Sequence, residues 1–206
     1  SRLLGGGERI ATVEFAGVEG FVVSSSDTEV QARPFEGPDG GGAGDVVLTS
    51  DTGVVVRAPG AWTYSSINSI TPDSGQRGTV VDITGVALFA GGSEVDEVRL
   101  GGVIVSNVVS ANETHIRVIP GTENVVEDQI GNAVIILDNG QSVTAVDAWT
   151  YRIPGTIQSI VPDRGQQSTT VTLQGINLLG YGTVVSDVTL VGESVASINF
   201  QNDTYI

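Results

Sequence analysis

The chain has 206 residues, 40% of them apolar and 28 of them glycine, and its 24 acidic side chains outnumber 9 basic ones, all arginine, for a formal net charge of −15. That balance excludes the polyanion binders, because nucleic acid and anionic membrane surfaces both require basic groups that displace counterions. With no cysteine at all, disulfides, thiolate metal sites and a cysteine nucleophile are excluded as well.

No apolar run approaches the ~20 residues of a membrane helix, so no membrane contact is expected in this segment. Val, Ile, Thr and Ser runs broken by Gly favour strands and turns, and the chain reads as all-β. The first stretch, 1–64, places Thr12-Val13-Glu14-Phe15 and Gly44-Asp45-Val46-Val47-Leu48 ahead of a closing Ala61-Trp62-Thr63-Tyr64. Between them lies the low-complexity run Gly37 to Gly44, aligned with 121–131 further on and read as a variable connection at one end of the module.

The second stretch, 65–151, predicts seven strands at 67–70, 79–84, 95–100, 103–108, 114–119, 131–137 and 142–150. Asp138-Asn139-Gly140 supplies the positive φ of a tight hairpin, as Asp51-Thr52-Gly53 does earlier. This stretch ends on Ala148-Trp149-Thr150-Tyr151, and the two copies of that tetrapeptide hold both tryptophans. The third stretch, 152–206, repeats the opening of the second: Ser69-Ile70-Thr71-Pro72-Asp73-Ser74-Gly75 returns as Ser159-Ile160-Val161-Pro162-Asp163-Arg164-Gly165, and Val81-Asp82-Ile83-Thr84-Gly85 as Val171-Thr172-Leu173-Gln174-Gly175. A near-constant offset over many anchors defines a repeat of about 87 to 90 residues. The chain is then the back of one unit, a whole second unit and the front of a third, which predicts further units on both sides.

Seven short strands in such a unit is a β-sandwich count. Ile70-Thr71-Pro72-Asp73-Ser74-Gly75, Gly78-Thr79-Val80 with Ile83-Thr84-Gly85, Leu100-Gly101-Gly102, Trp149-Thr150-Tyr151 and Gly175-Ile176-Asn177-Leu178 resemble the IPT/TIG family of immunoglobulin-like domains. That family occurs in plexin-type receptors, transcription factors and large surface proteins, and the resemblance implies tandem immunoglobulin-like sandwiches. The receptor-type members often carry cysteines that this chain lacks.

Ile70, Ile83, Leu100, Trp62 and Trp149 are expected in the cores. Trp149 and Tyr151 share one face of the final strand; Trp is read as core and Tyr as packing near the junction, whereas an exposed Trp ring would make a stacking platform for sugars. His115 is replaced by Glu29 and Tyr205 in the other copies, which argues against a catalytic base. No nucleophile triad, phosphate loop or histidine cluster can be assembled, so the expectation is no enzyme, no cofactor and no metal site. Calcium is the one cation left open, through Asp73, Glu94, Asp96, Asp163 and Asp187 in or near loops. Asn112-Glu113-Thr114 and Asn202-Asp203-Thr204 match the N-glycosylation pattern and equally suit a turn before a strand.

Short, non-Gly/Ser connections after Tyr64 and Tyr151 leave neighbouring units nearly in contact. The leading expectation is a non-enzymatic extracellular or cell-surface structural protein, an elongated shaft, filament or appendage. Its expected partners are neighbouring repeats, further copies of itself or other surface proteins. The alternative is an adhesion or carbohydrate-binding module, distinguished by exposed aromatics confined to one copy. DNA binding, carried by the resemblance alone, is opposed by the charge.

Overall fold

Burial alternates most cleanly in the middle of the chain, where two sheets close on one another. The computed structural model describes residues 2–122 and 127–206, and all regular structure among them is strand and turn. The expected loop at 121–131 lies partly outside the described residues.

The second stretch contains β6 (Ser66–Thr71), β7 (Ser74–Gly75), β8 (Val81–Val86), β9 (Val95–Leu100), β10 (Val103–Ile104), β11 (Asn107–Ala111), β12 (His115–Ile119), β13 (Gln129–Leu137) and β14 (Ser142–Tyr151), numbered after five strands of the first stretch. They form two sheets, β10-β9-β13-β14-β7 and β11-β12-β8-β6. The period-two pattern explains the packing: Ala133, Ile135 and Leu137 of β13, Val98 and Leu100 of β9, Val81 and Ile83 of β8, and Ile116 and Val118 of β12 all point into one core. Trp149 sits among them with no accessible surface, and Tyr151 joins the same core. Each such aliphatic side chain contributes about 1.5–3 kcal/mol through burial. A bulge, with Asp147 at φ 50, interrupts the pairing of β13 and β14.

The strand expected at 103–108 is two strands, because the chain changes sheets within it. The Val105 amide donates to Val98 O at 3.0 Å in one sheet, and the next amide, Ser106, donates to Ile119 O at 2.8 Å in the other. The two-residue β7 has no counterpart among the expected strands; it pairs in parallel with the end of β14, Ser74 opposite Thr150. The turn at 138–140 forms as its residues predict, with Gly140 at φ 78 and its amide donating to Leu137 O at 2.9 Å.

The first stretch departs from this plan. Its strands β1 (Ile10–Phe15), β2 (Val18–Ser25), β3 (Val30–Pro34), β4 (Gly42–Ser50) and β5 (Val55–Tyr64) make one antiparallel sheet in the order β3-β2-β1-β4-β5. β3, the counterpart of β12 by alignment, pairs with β2, whereas β12 pairs with β8. Val13, Phe15 and Tyr64 are buried on the inner face, with Val22, Val46, Leu48 and Trp62 packed around them. Phe15 and Trp62 meet edge to face at 5.0 Å, and Trp62 and Tyr64 at 5.8 Å.

The third stretch has two short pairs, β15 (Thr156–Val161) with β16 (Thr172–Ile176), and β17 (Thr189–Leu190) with β18 (Glu193–Ser194). Leu173 is its buried aliphatic side chain. An open hollow of about 990 Å³ lies beside β16, β17 and β18, lined by Leu173, Val188, Leu190, Ile198, Phe200 and Ile206.

Candidate functional site

The residues singled out in the sequence are distributed through the fold and do not converge. Ile83, Leu100 and Trp149 are fully buried, while Ile70 and Trp62 are partly buried against the cores of their stretches. With the Trp149 ring enclosed, the final strand of the second stretch offers no indole to a sugar. Asn112 and Asn202 both build turns. The Asn112 side-chain oxygen accepts from the Thr114 amide at 2.9 Å, the Thr114 hydroxyl at 3.1 Å and the His115 amide at 2.9 Å. Asn202 repeats the arrangement with Thr204 and Tyr205. Ser26 does so in the first stretch, its hydroxyl accepting from the Thr28 and Glu29 amides.

His115 Nε2 lies 2.7 Å from Asp82 Oδ1, and Arg117 pairs with the same carboxylate at 2.7 Å. Arg117 first, and His115 after it, hold Asp82 below the ordinary carboxylate range. This is a surface ion-pair cluster, with Thr84 directly opposite His115. Among the described residues no three His, Asp or Glu side chains gather as metal ligands.

The chemistry that does converge lies on the outer face of the first sheet. Along β2 the side chains alternate: Val18, Gly20 and Val22 turn inward, leaving Glu19, Phe21 and Val23 exposed. Phe21 is 59% exposed and Phe35, just past β3, is 55% exposed. Phe21 stands directly opposite Arg33 of β3, and the Phe35 amide donates to Glu19 O at 3.4 Å, which brings Phe35 across from Glu19. The two residues are therefore diagonal neighbours, their backbones roughly 7–8 Å apart by sheet geometry.

Glu19 in turn faces Glu14 of β1, Glu14 faces Val47 of β4, and Val47 faces Arg57 of β5. This row crosses the whole sheet, roughly 19 Å at the usual strand spacing. Arg57 is held by Asp45 at 2.8 Å. Its guanidinium, and after it the Gly60 amide, lowers the Asp45 pKa. Like charges directly opposite one another, as Glu14 and Glu19 are, weaken a sheet. The face thus carries two features that folding does not require, exposed aromatic rings and an acidic pair.

Reading the sequence by repeat missed this face, since Phe21 falls where the second unit has Ser106. The signal was present in the alternation of Val18-Glu19-Gly20-Phe21-Val22, which puts a ring and a carboxylate on one side.

No family model and no curated protein matches the chain. Solved structures similar to it include SGBP-B of a Bacteroides ovatus mixed-linkage glucan utilization locus in complex with a mixed-linkage heptasaccharide, at 17% identity and a TM-score of 0.35, over 94% of this chain and 48% of that one. SGBP-B from a complex xyloglucan utilization locus in Bacteroides uniformis is similar at 13% identity and a TM-score of 0.33, over 82% of this chain and 55% of that one. A third structure, described with a xylogluco-oligosaccharide, has 15% identity and a TM-score of 0.29, over 82% of this chain and 41% of that one. The chain thus spans about half the length of the first two. Among the described residues no helix is long and apolar enough to cross a membrane.

Proposed function

We propose that this chain is a non-enzymatic cell-surface module, built from tandem IPT/TIG-like sandwiches, that binds a neutral polysaccharide on the outer face of its first sheet. The observation that carries the reading is the exposed Phe21 and Phe35 beside Arg33, Glu19 and Glu14 on one face of the first sheet. A sugar ring has an apolar face and an equatorial rim of hydroxyls. Phe21 and Phe35 supply a flat apolar support for the first, and carboxylates accept strong hydrogen bonds from the second. Arg33 donates to ring and hydroxyl oxygens. The net charge of −15 selects against acidic polysaccharides.

Affinity electrophoresis in gels containing soluble neutral polysaccharides, mixed-linkage glucan and xyloglucan first, tests this. Retardation of the wild-type chain, lost in the Phe21→Ala/Phe35→Ala double variant with its melting temperature kept, is the expected result. A glycan array on which the wild-type chain binds nothing, or retardation indifferent to both substitutions, would refute it.

A second reading, an elongated structural shaft or filament, is supported by the joints. One residue, Ser65, separates β5 from β6, and Arg152 to Gly155 separates β14 from β15. Connections this short place successive units in a row, touching neighbouring repeats. In this reading self-association is lateral, and Asn112 and Asn202 carry glycans in a secreted eukaryotic setting. Electron microscopy of the native protein separates a polymer from a monomeric binding module.

A further inference from the structure

The two joints of the chain are built differently. At the second, three side chains from two successive units meet. Asp128, just ahead of β13, accepts from Arg152 Nη1 at 2.6 Å through one carboxylate oxygen. Its other oxygen accepts from the Ile153 amide at 3.1 Å and from the Tyr181 hydroxyl at 3.1 Å. The Arg152 guanidinium also lies over the Tyr181 ring, 5.0 Å from its centroid. Gln76, from the loop after β7, reaches the Ile153 carbonyl at 3.5 Å. Asp128 and Gln76 belong to the second unit, Arg152 and Ile153 to the connection, and Tyr181 to the third unit.

The three side chains of this set, Asp128, Arg152 and Tyr181, have no like counterpart at the first joint. The repeat aligns Asp128 with Gly41, Arg152 with Ser65 and Tyr181 with Gly91, none of which carries a charge or a ring. The substitutions at the second joint are also mutually dependent: a carboxylate, a guanidinium and a phenol each satisfy the other two. Arg152 and Asp128 are each only one third exposed as side chains, so solvent screens this pair less than the chain's freely exposed ones.

The geometry points to a latch: Asp128, Arg152 and Tyr181 lock the second and third units at one angle, and the first joint, lacking all three, is a swivel. The chain is then a rigid two-unit base on which the first unit, with its aromatic face, reorients. This division of stiffness stands whether or not that face binds sugar.

The absence of native cysteine makes the test direct. Nitroxide labels on Ser110→Cys and Thr172→Cys report across the second joint, and labels on Ser24→Cys and Ser110→Cys across the first, by pulsed electron–electron double resonance on the full chain. The expected result is a narrow distance distribution across the second joint and one at least twofold broader across the first. Asp128→Ala should broaden the second to the width of the first. Tyr181→Phe, which removes one hydrogen bond and keeps the ring, should give an intermediate width and serves if Asp128→Ala fails to fold. Equal widths at both joints in the wild-type chain, or a second-joint distribution unmoved by a folded variant, would overturn the latch.

Discussion

The first and second units close with the same motif yet end in different architectures. Both finish on Ala-Trp-Thr-Tyr, both turn on an Asp-x-Gly triplet, and both carry a bulge, at Gly60 with φ 60 and at Asp147 with φ 50. The bulge amides are held alike, Gly60 by Asp45 Oδ1 at 2.9 Å and Asp147 by Asn132 Oδ1 at 3.1 Å. Both need glycine at the same crossing: a Cβ on Gly44 would lie 2.6 Å from Ala16 Cα, and one on Gly131 2.8 Å from Gly101 Cα. The second unit is nonetheless a two-sheet sandwich and the first a single five-stranded sheet. The difference lies in what β3 and β12 find beside them. Among the described residues β12 pairs with β8, whereas β3 pairs with β2. Backbone groups take the partner at hand, and sheet membership follows from that choice.

The largest effect that would sharpen this comparison is at the tryptophans. Trp149→Ala should cost about 3–5 kcal/mol, because the ring is fully enclosed and leaves a cavity. Trp62→Ala, with its ring packed on one side by Phe15 and Tyr64, should cost about 1–3 kcal/mol. Chemical denaturation of the two variants checks the order, and equal losses would mean the first unit encloses its indole as fully as the second.

Smaller is Asn112→Ala, which deletes the acceptor of three hydrogen bonds at an exposed turn and should cost about 1 kcal/mol. Asn112→Ser, copying Ser26 of the first unit, should recover most of it. Failure of that rescue in thermal melts would break the equivalence of the turns.

Acid should act unevenly as well. Asp82, Asp128 and Asp138 near or in the second unit, and Asp45 in the first, all have folded pKa values below the ordinary 3.8. Hydrogen bonds from Arg117 to Asp82, Arg152 to Asp128, Ser93 to Asp138 and Arg57 to Asp45 do most of this lowering. A depressed folded pKa contributes stability that is present above 3.8 and lost as pH falls through the lower folded value. Melting scans between about pH 5 and pH 2 should therefore show the second unit losing stability more steeply. A melting temperature flat across that window would remove these contacts from the account.

The smallest expected change in stability is at the aromatic face. Phe21→Ala should alter unfolding by no more than about 0.5 kcal/mol, as the ring is mostly in water. A large loss there would mean that Phe21 packs against something and would deprive the binding face of its platform.

Much of the fold was legible in residue order. Strands at 95–100 and 131–137, the Gly140 turn and the inward side of β13 follow from alternation and turn chemistry, which act over a few residues. The interruption at Val105 and Ser106 was not legible, since strand-forming residues do not say which sheet each amide will meet. The aromatic face was half legible: β2 alternates visibly, but Phe35 joins Phe21 only through the β2–β3 pairing, which residue order does not specify.

By itself the sequence determined the all-β character, the repeat with its shared closing strand, and a charge that turns away polyanions, because composition and short-range periodicity are local properties. Tertiary structure alone decided which strands share a sheet, that Phe21 and Phe35 stand together in solvent, and that Asp128, Arg152 and Tyr181 meet across a joint. Those outcomes depend on hydrogen-bond partners and packing surfaces brought together from distant positions, where no local pattern records the meeting.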